Sequence, residues 1–157
     1  MAHSWAPLFR GPGRSRRPLD LAATVGYLVG GGLLVWSAWI HFHLWDDEGY
    51  RHIATIGPLF LLQSVAALVI GIGVVAVRRV WAAVVGAGFA LGTIAGFLAS
   101  VSHGLFGFKD SWQAPFAHQA FGIELAAVAV LALAAVLSLA AGSSSAAATS
   151  TPAVPAT

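Results

Sequence analysis

The chain has 157 residues, 58% hydrophobic and only 9% charged, with eight Lys and Arg against six Asp and Glu. Soluble domains carry about 25% charged residues, so this composition excludes an ordinary water-soluble enzyme or binding module and fits one integral membrane domain. The pI near 9.7 implies no nucleic-acid partner, because the cations sit in short clusters beside apolar runs, as cytoplasmic membrane flanks do.

Residues 1–20 form a basic, Gly- and Pro-broken arm that contains Arg10, Arg14, Arg16 and Arg17. It is expected to be a mobile cytoplasmic segment. The first apolar run, 21–43, is longer than the hydrophobic stretch of a signal peptide and ends in Trp-Ile-His-Phe-His, so it reads as an uncleaved membrane helix. A second helix is expected over 58–77, with Pro58 in its first turn. After the brief break Arg78-Arg79 a third is expected over 80–103, and a fourth over 115–141. Each approaches the ~20 residues that cross a bilayer core. Residues 142–157 are Ser-, Ala- and Thr-rich and are expected to be a disordered cytoplasmic tail. The fold class is therefore all-α: a four-helix transmembrane bundle.

Arginines at the arm and at the 78–79 turn place both termini inside, because only Arg51 and Lys109 fall in the opposite loops. Trp36, Trp39, Trp45, Tyr50 and Trp112 gather at the outer boundary as an aromatic belt. The third helix carries Gly88, Gly92, Gly96, Ser100 and Gly104 at a spacing of four. Such a ridge lets a second backbone approach closely, inside the bundle or on another subunit. Gly26 and Gly30 make a shorter version on the first helix.

Two groups of side chains could carry chemistry. Ser37, Gln63 and Glu124 all fall roughly 8–14 Å below the outer boundary, with Ser100 shallower. Glu124 is the one ionisable residue deep in an apolar run. A charge there costs at least ~2.5 kcal/mol, so it should face the interior, with Gln63 the expected partner by depth. His41, His43, His52, His103 and His118 lie at the same membrane face. Imidazole and carboxylate without sulfur suit haem b or a divalent transition metal, although no local spacing such as H-x-x-x-H supports it. The acidic stretch Asp46-Asp47-Glu48 reads as a solvated turn, since it lacks the alternating ligands of a calcium loop. No phosphate loop or nucleophile elbow is present, so the reading leans against an enzyme.

The run Trp39-Ile-His-Phe-His-Leu-Trp45, with Gly49-Tyr-Arg-His and Ile56-Gly-Pro-Leu-Phe-Leu-Leu-Gln63, resembles small uncharacterised four-helix membrane proteins of high-GC actinobacterial type. The resemblance covers the first helix, the first outer loop and the start of the second helix. It implies a bacterial plasma membrane and carries no activity. Three function classes fit the residues. The first is an accessory or structural component that docks on another membrane protein, or on itself, through the glycine ridge. The second is a haem- or metal-binding redox protein using the outer histidines. The third is a proton-coupled transport element using Glu124.

Overall fold

A computed structural model describes residues 5–13 and 18–149. Its helices are α1 (Pro18–Asp46), α2 (Ile56–Val77), α3 (Val80–His103) and α4 (Ala117–Thr149), with short helical turns at Ala6–Phe9 and Tyr50–His52. All four long helices are long and apolar enough to cross a membrane. The chain is a small multi-pass membrane protein built as a four-helix bundle.

Local chemistry explains the helix ends. Pro18 opens α1, where its missing N–H leaves no bond unmade. The Asp20 carboxylate in the first turn, where the helix dipole favours an anion, accepts the Gly13 amide at 2.6 Å. Arg78 takes a left-handed conformation (φ 47°) and stops α2, its amide returning to the Val74 carbonyl. The Val80 amide, which α3 leaves without an intrahelical acceptor, donates to the Arg10 carbonyl at 2.9 Å. Gly104 (φ 81°) ends α3. Residues 105–108 then form a two-residue hairpin in which Phe106 and Gly107 both have positive φ. That turn leaves Phe106 65% exposed.

Two expectations are corrected at the ends. Residues 5–13 are not a free arm: Arg79 donates to the Phe9 carbonyl and Arg10 receives the start of α3. Arg14, Arg16 and Arg17 lie outside the described residues. At the other end α4 continues to Thr149, so residues 142–149 are helical rather than tail. Residues 150–157 lie outside the described residues.

Packing is uneven around the bundle. α1 lies closely against both α2 and α4, α4 against α3, while α2 and α3 pack loosely on one another. Glycine decides where backbones can meet. A Cβ on Gly31 would lie 2.7 Å from the Gly71 carbonyl oxygen, and one on Gly71 would lie 2.8 Å from that of Gly31. On the other side of α1, Gly26 seats against Ala134 and Gly30 against Leu131. The core that results joins Tyr27, Leu34, Val74, Ala83, Ala90 and Leu131. Outward faces carry Leu62, Val69, Ile72, Val84, Leu133 and Val136, as lipid contact requires.

The α3 ridge does not take part. A Cβ on Gly88, Gly92 or Gly96 would meet no atom within 4 Å, and Gly104 acts as a helix stop. The regular spacing of four marks a face without bulk, and the bundle packs instead on glycines of α1 and α2 and on Gly86 of α3, where a Cβ would lie 2.9 Å from Leu131.

Candidate functional site

The buried polar residues in the half of the bundle that holds the 105–108 turn come from all four helices: Ser37 and His41 from α1, Ser64 from α2, Ser100 from α3 and Glu124 from α4. Ser37 and His41 lie one turn apart on α1, both buried, and Glu124 projects from α4 with only 3% of its surface exposed. The Ser37 hydroxyl donates to Glu124 Oε1 at 2.9 Å. His41 Nδ1 sits 2.9 Å from the Ser37 carbonyl oxygen and 3.4 Å from its hydroxyl. A carbonyl can only accept, so Nδ1 carries a proton there and the second ring nitrogen of a neutral His41 is an acceptor.

Gln63 does not meet Glu124. Its amide donates to Thr93 Oγ1 at 2.5 Å, and Thr93 in turn donates to the Phe89 carbonyl, so the pair bridges α2 and α3. Equal depth on separate helices was the reason to join Gln63 with Glu124, but depth leaves azimuth open. Azimuth directs Gln63 to α3 and Glu124 to α1. Ser100 is also elsewhere: its hydroxyl accepts the Asp110 amide at 3.2 Å and fastens the loop between α3 and α4 to α3. Thr93 had no sequence signal beyond being polar in an apolar run.

Two cavities meet at this cluster. One, about 40 Å³, is lined by His41, Tyr50, Thr93, Asp110 and Glu124 together with Phe60, Phe97 and other apolar groups. The other is a groove of about 550 Å³ between the N-terminal half of α2 and the C-terminal half of α3. Its apolar walls include Leu59, Leu62, Ala66 and Phe89, Gly92 and Gly96 add no bulk, and His41, Gln63, Thr93, Ser100 and Asp110 are its polar groups. His41, Phe60, Thr93, Phe97 and Asp110 line both spaces. The groove thus exists because the α3 ridge is bare and α2 stands off from it. Compared with protein-family models, curated proteins and solved structures, the chain matches none.

The histidines separate. His41 is inside. His43 pairs with Asp47 at 2.6 Å and stacks on Trp39. His52 is exposed beside Arg51, which donates to it. His118 is exposed and lies against Trp112, and His103 is exposed at the end of α3. Among the described residues no three His, Asp or Glu side chains are grouped to hold a metal ion. Sharing a membrane face did not give the five imidazoles a common centre.

The loop groups over the cavity are electrostatically strained. Burial pushes the Asp110 carboxyl above the ordinary range, partly offset by the Ser111 amide that it accepts. Burial, then the charges of Asp110 and Glu48, push the Tyr50 phenol up to about 12. A carboxyl whose folded pKa is raised stabilises the fold below its unfolded pKa, and that contribution is lost as pH rises through the folded value. Asp110→Asn should therefore raise the melting temperature at neutral pH, and the gain should vanish towards acid. Melting curves in detergent across that range check it. A gain that grows in acid would mean that the carboxylate is stabilised by the fold.

Proposed function

We propose that the protein binds a small amphiphile drawn from the surrounding bilayer through the opening between α2 and α3. The observation that carries this reading is the groove: about 550 Å³, with mostly apolar walls and a few polar groups spaced along it, from Gln63 and Thr93 at the deep end to Ser100 and Asp110 at the loop end. Ligand sites between bundle helices have this size and make-up. The polar groups also select for chemistry. The free nitrogen of neutral His41, the Asp110 carboxylate and the oxygen that Gln63 does not use towards Thr93 are all acceptors. The matching head group donates hydrogen bonds, as an alcohol, phenol or amine does.

Gly92→Trp tests the reading, because nothing lies within 4 Å of a Cβ there and the indole would fill the groove. Protein purified in nanodiscs should release an apolar molecule with a donor head on extraction, and the variant should lose at least about tenfold of it at unchanged melting temperature. Equal yields from both would reject the groove as the site. A second reading, an accessory protein docked through Gly88, Gly92 and Gly96, is favoured by the bareness of that face. It instead expects the variant to lose a co-purifying polypeptide or self-association. Redox chemistry on outer histidines has less support, since they are dispersed.

The membrane is proposed to be a bacterial plasma membrane, with both termini cytoplasmic, because the arginines cluster at one end of the bundle. Cysteines introduced at Ser111 and Ser144 should react with an impermeant maleimide from opposite sides, the first from outside. Labelling of both from one side would overturn this topology.

A further inference from the structure

The small cavity adjoins the groove, and two side chains more than nine-tenths buried line it. Glu124 uses Oε1 to accept from Ser37, and among the described residues Oε2 has no hydrogen-bond partner. His41 uses Nδ1 on the Ser37 carbonyl, and its other nitrogen likewise has none. Yet no side-chain nitrogen or oxygen among the described residues is both sealed from access and unbonded. Both free atoms therefore reach open space, and both residues line the same cavity of about 40 Å³. That volume exceeds the ~10–15 Å³ that one water needs. The groups facing it are polar enough to hold water: His41 from α1, Tyr50 from the first outer loop, Asp110 from the second and Glu124 from α4. From α2 and α3 it receives Phe60, Thr93 and Phe97, and no Lys or Arg lines it.

We propose that this cavity is a hydrated proton site in which Glu124 and His41 share one exchangeable proton through water, and that His41 connects it to the groove. One water in that space can donate to both free atoms, but with no Lys or Arg lining the cavity it leaves a carboxylate charge buried without a counter-charge. A proton shared through that water neutralises the charge and keeps both atoms bonded. Ser37 fixes the pair by bonding each of them, so it is a positioning residue. The link to the groove rests on the amphiphile reading above. His41 lines both spaces and has one free nitrogen, so a donor head group in the groove and the shared proton compete for it.

The test follows the two groups separately in nanodiscs, by nitrogen NMR of labelled histidine and by the infrared carboxyl band, as pH is varied. Glu124→Gln should move the His41 midpoint by about one pH unit or more, and His41→Gln should move that of Glu124 by a similar amount. Midpoints that ignore the partner's substitution would overturn the shared proton. Should a variant fail to fold, the wild-type protein decides. Imidazole and carboxyl signals that change together in common coupled steps support the site, and two independent curves overturn it. Para-dodecylphenol then probes the link. It should shift both midpoints in the wild type and neither in Gly92→Trp. Coupled midpoints that para-dodecylphenol binds without moving would overturn the link alone. Failure of para-dodecylphenol to bind at all, with no native amphiphile extracted, would count against the groove reading and leave the proton site standing. A midpoint shift on replacing K+ by Na+ at constant ionic strength would instead assign the cavity to a small cation and overturn the proposal.

Discussion

Leucine at Gly31 or Gly71 is expected to break the bundle, while leucine at Gly92 leaves it folded. At the first two positions the atom in the way is a backbone oxygen of the facing helix, 2.7–2.8 Å from the new Cβ. A backbone cannot rotate aside as a side chain can, so α1 and α2 must separate. Overpacking of an ordinary core costs roughly 1–3 kcal/mol, and a backbone contact should reach about 3 kcal/mol or more. Separating the helices also uncovers Val74 and Leu34, which are buried on either side of that crossing. At Gly92 nothing lies within 4 Å, so the added side chain enters the groove. Thermal unfolding in detergent separates the cases. A Gly31→Leu protein as stable as wild type would show that α1 and α2 do not cross there.

Glu124→Leu should lower stability by about 1–2 kcal/mol relative to Glu124→Gln, which keeps an acceptor for the Ser37 hydroxyl. The sharper measurement is a double-mutant cycle. Ser37→Ala combined with Glu124→Leu should be non-additive by about 1 kcal/mol, within the range of hydrogen bonds between membrane helices. Gln63→Leu combined with Glu124→Leu should be additive, because Gln63 bonds Thr93 rather than Glu124. Coupling of Glu124 to Gln63 instead of Ser37 would overturn the site geometry described above. The stability loss belongs to the packing of the site. Loss of proton sharing, which the Gln variant also suffers, belongs to its chemistry.

The positions of the four helices were legible because the bilayer imposes a length and a hydropathy on any spanning segment. The third run, 80–103, coincides with α3, and the others differ at their ends. Those ends depend on bonds that hydropathy does not register. The Arg10 carbonyl receives the start of α3, for example, and α4 carries its helix on into the polar Ser residues beyond Gly142. The interior orientation of Glu124 was also legible, because a carboxyl facing lipid is too unfavourable to persist.

Partnership was not legible. Depth along each helix follows from counting residues, but rotation about each axis follows from how the helices seat on one another. In an all-apolar helix no amphipathic stripe announces that rotation. Glycine shows the same division. The spacing of four on α3 was the more regular signal, yet close approach occurs at Gly31 and Gly71, whose register with each other exists only once α1 and α2 have crossed. The five histidines shared a membrane face from sequence alone, and tertiary packing sent His41 inside, gave His43, His52 and His118 separate neighbours and left His103 exposed at the end of α3. The sequence by itself determined that this chain is a four-helix membrane protein with a buried acid in one of its apolar helices. Only the tertiary structure decided that the acid faces Ser37 and a cavity shared with His41, beside a groove open between α2 and α3, because azimuth and helix contact are set by packing.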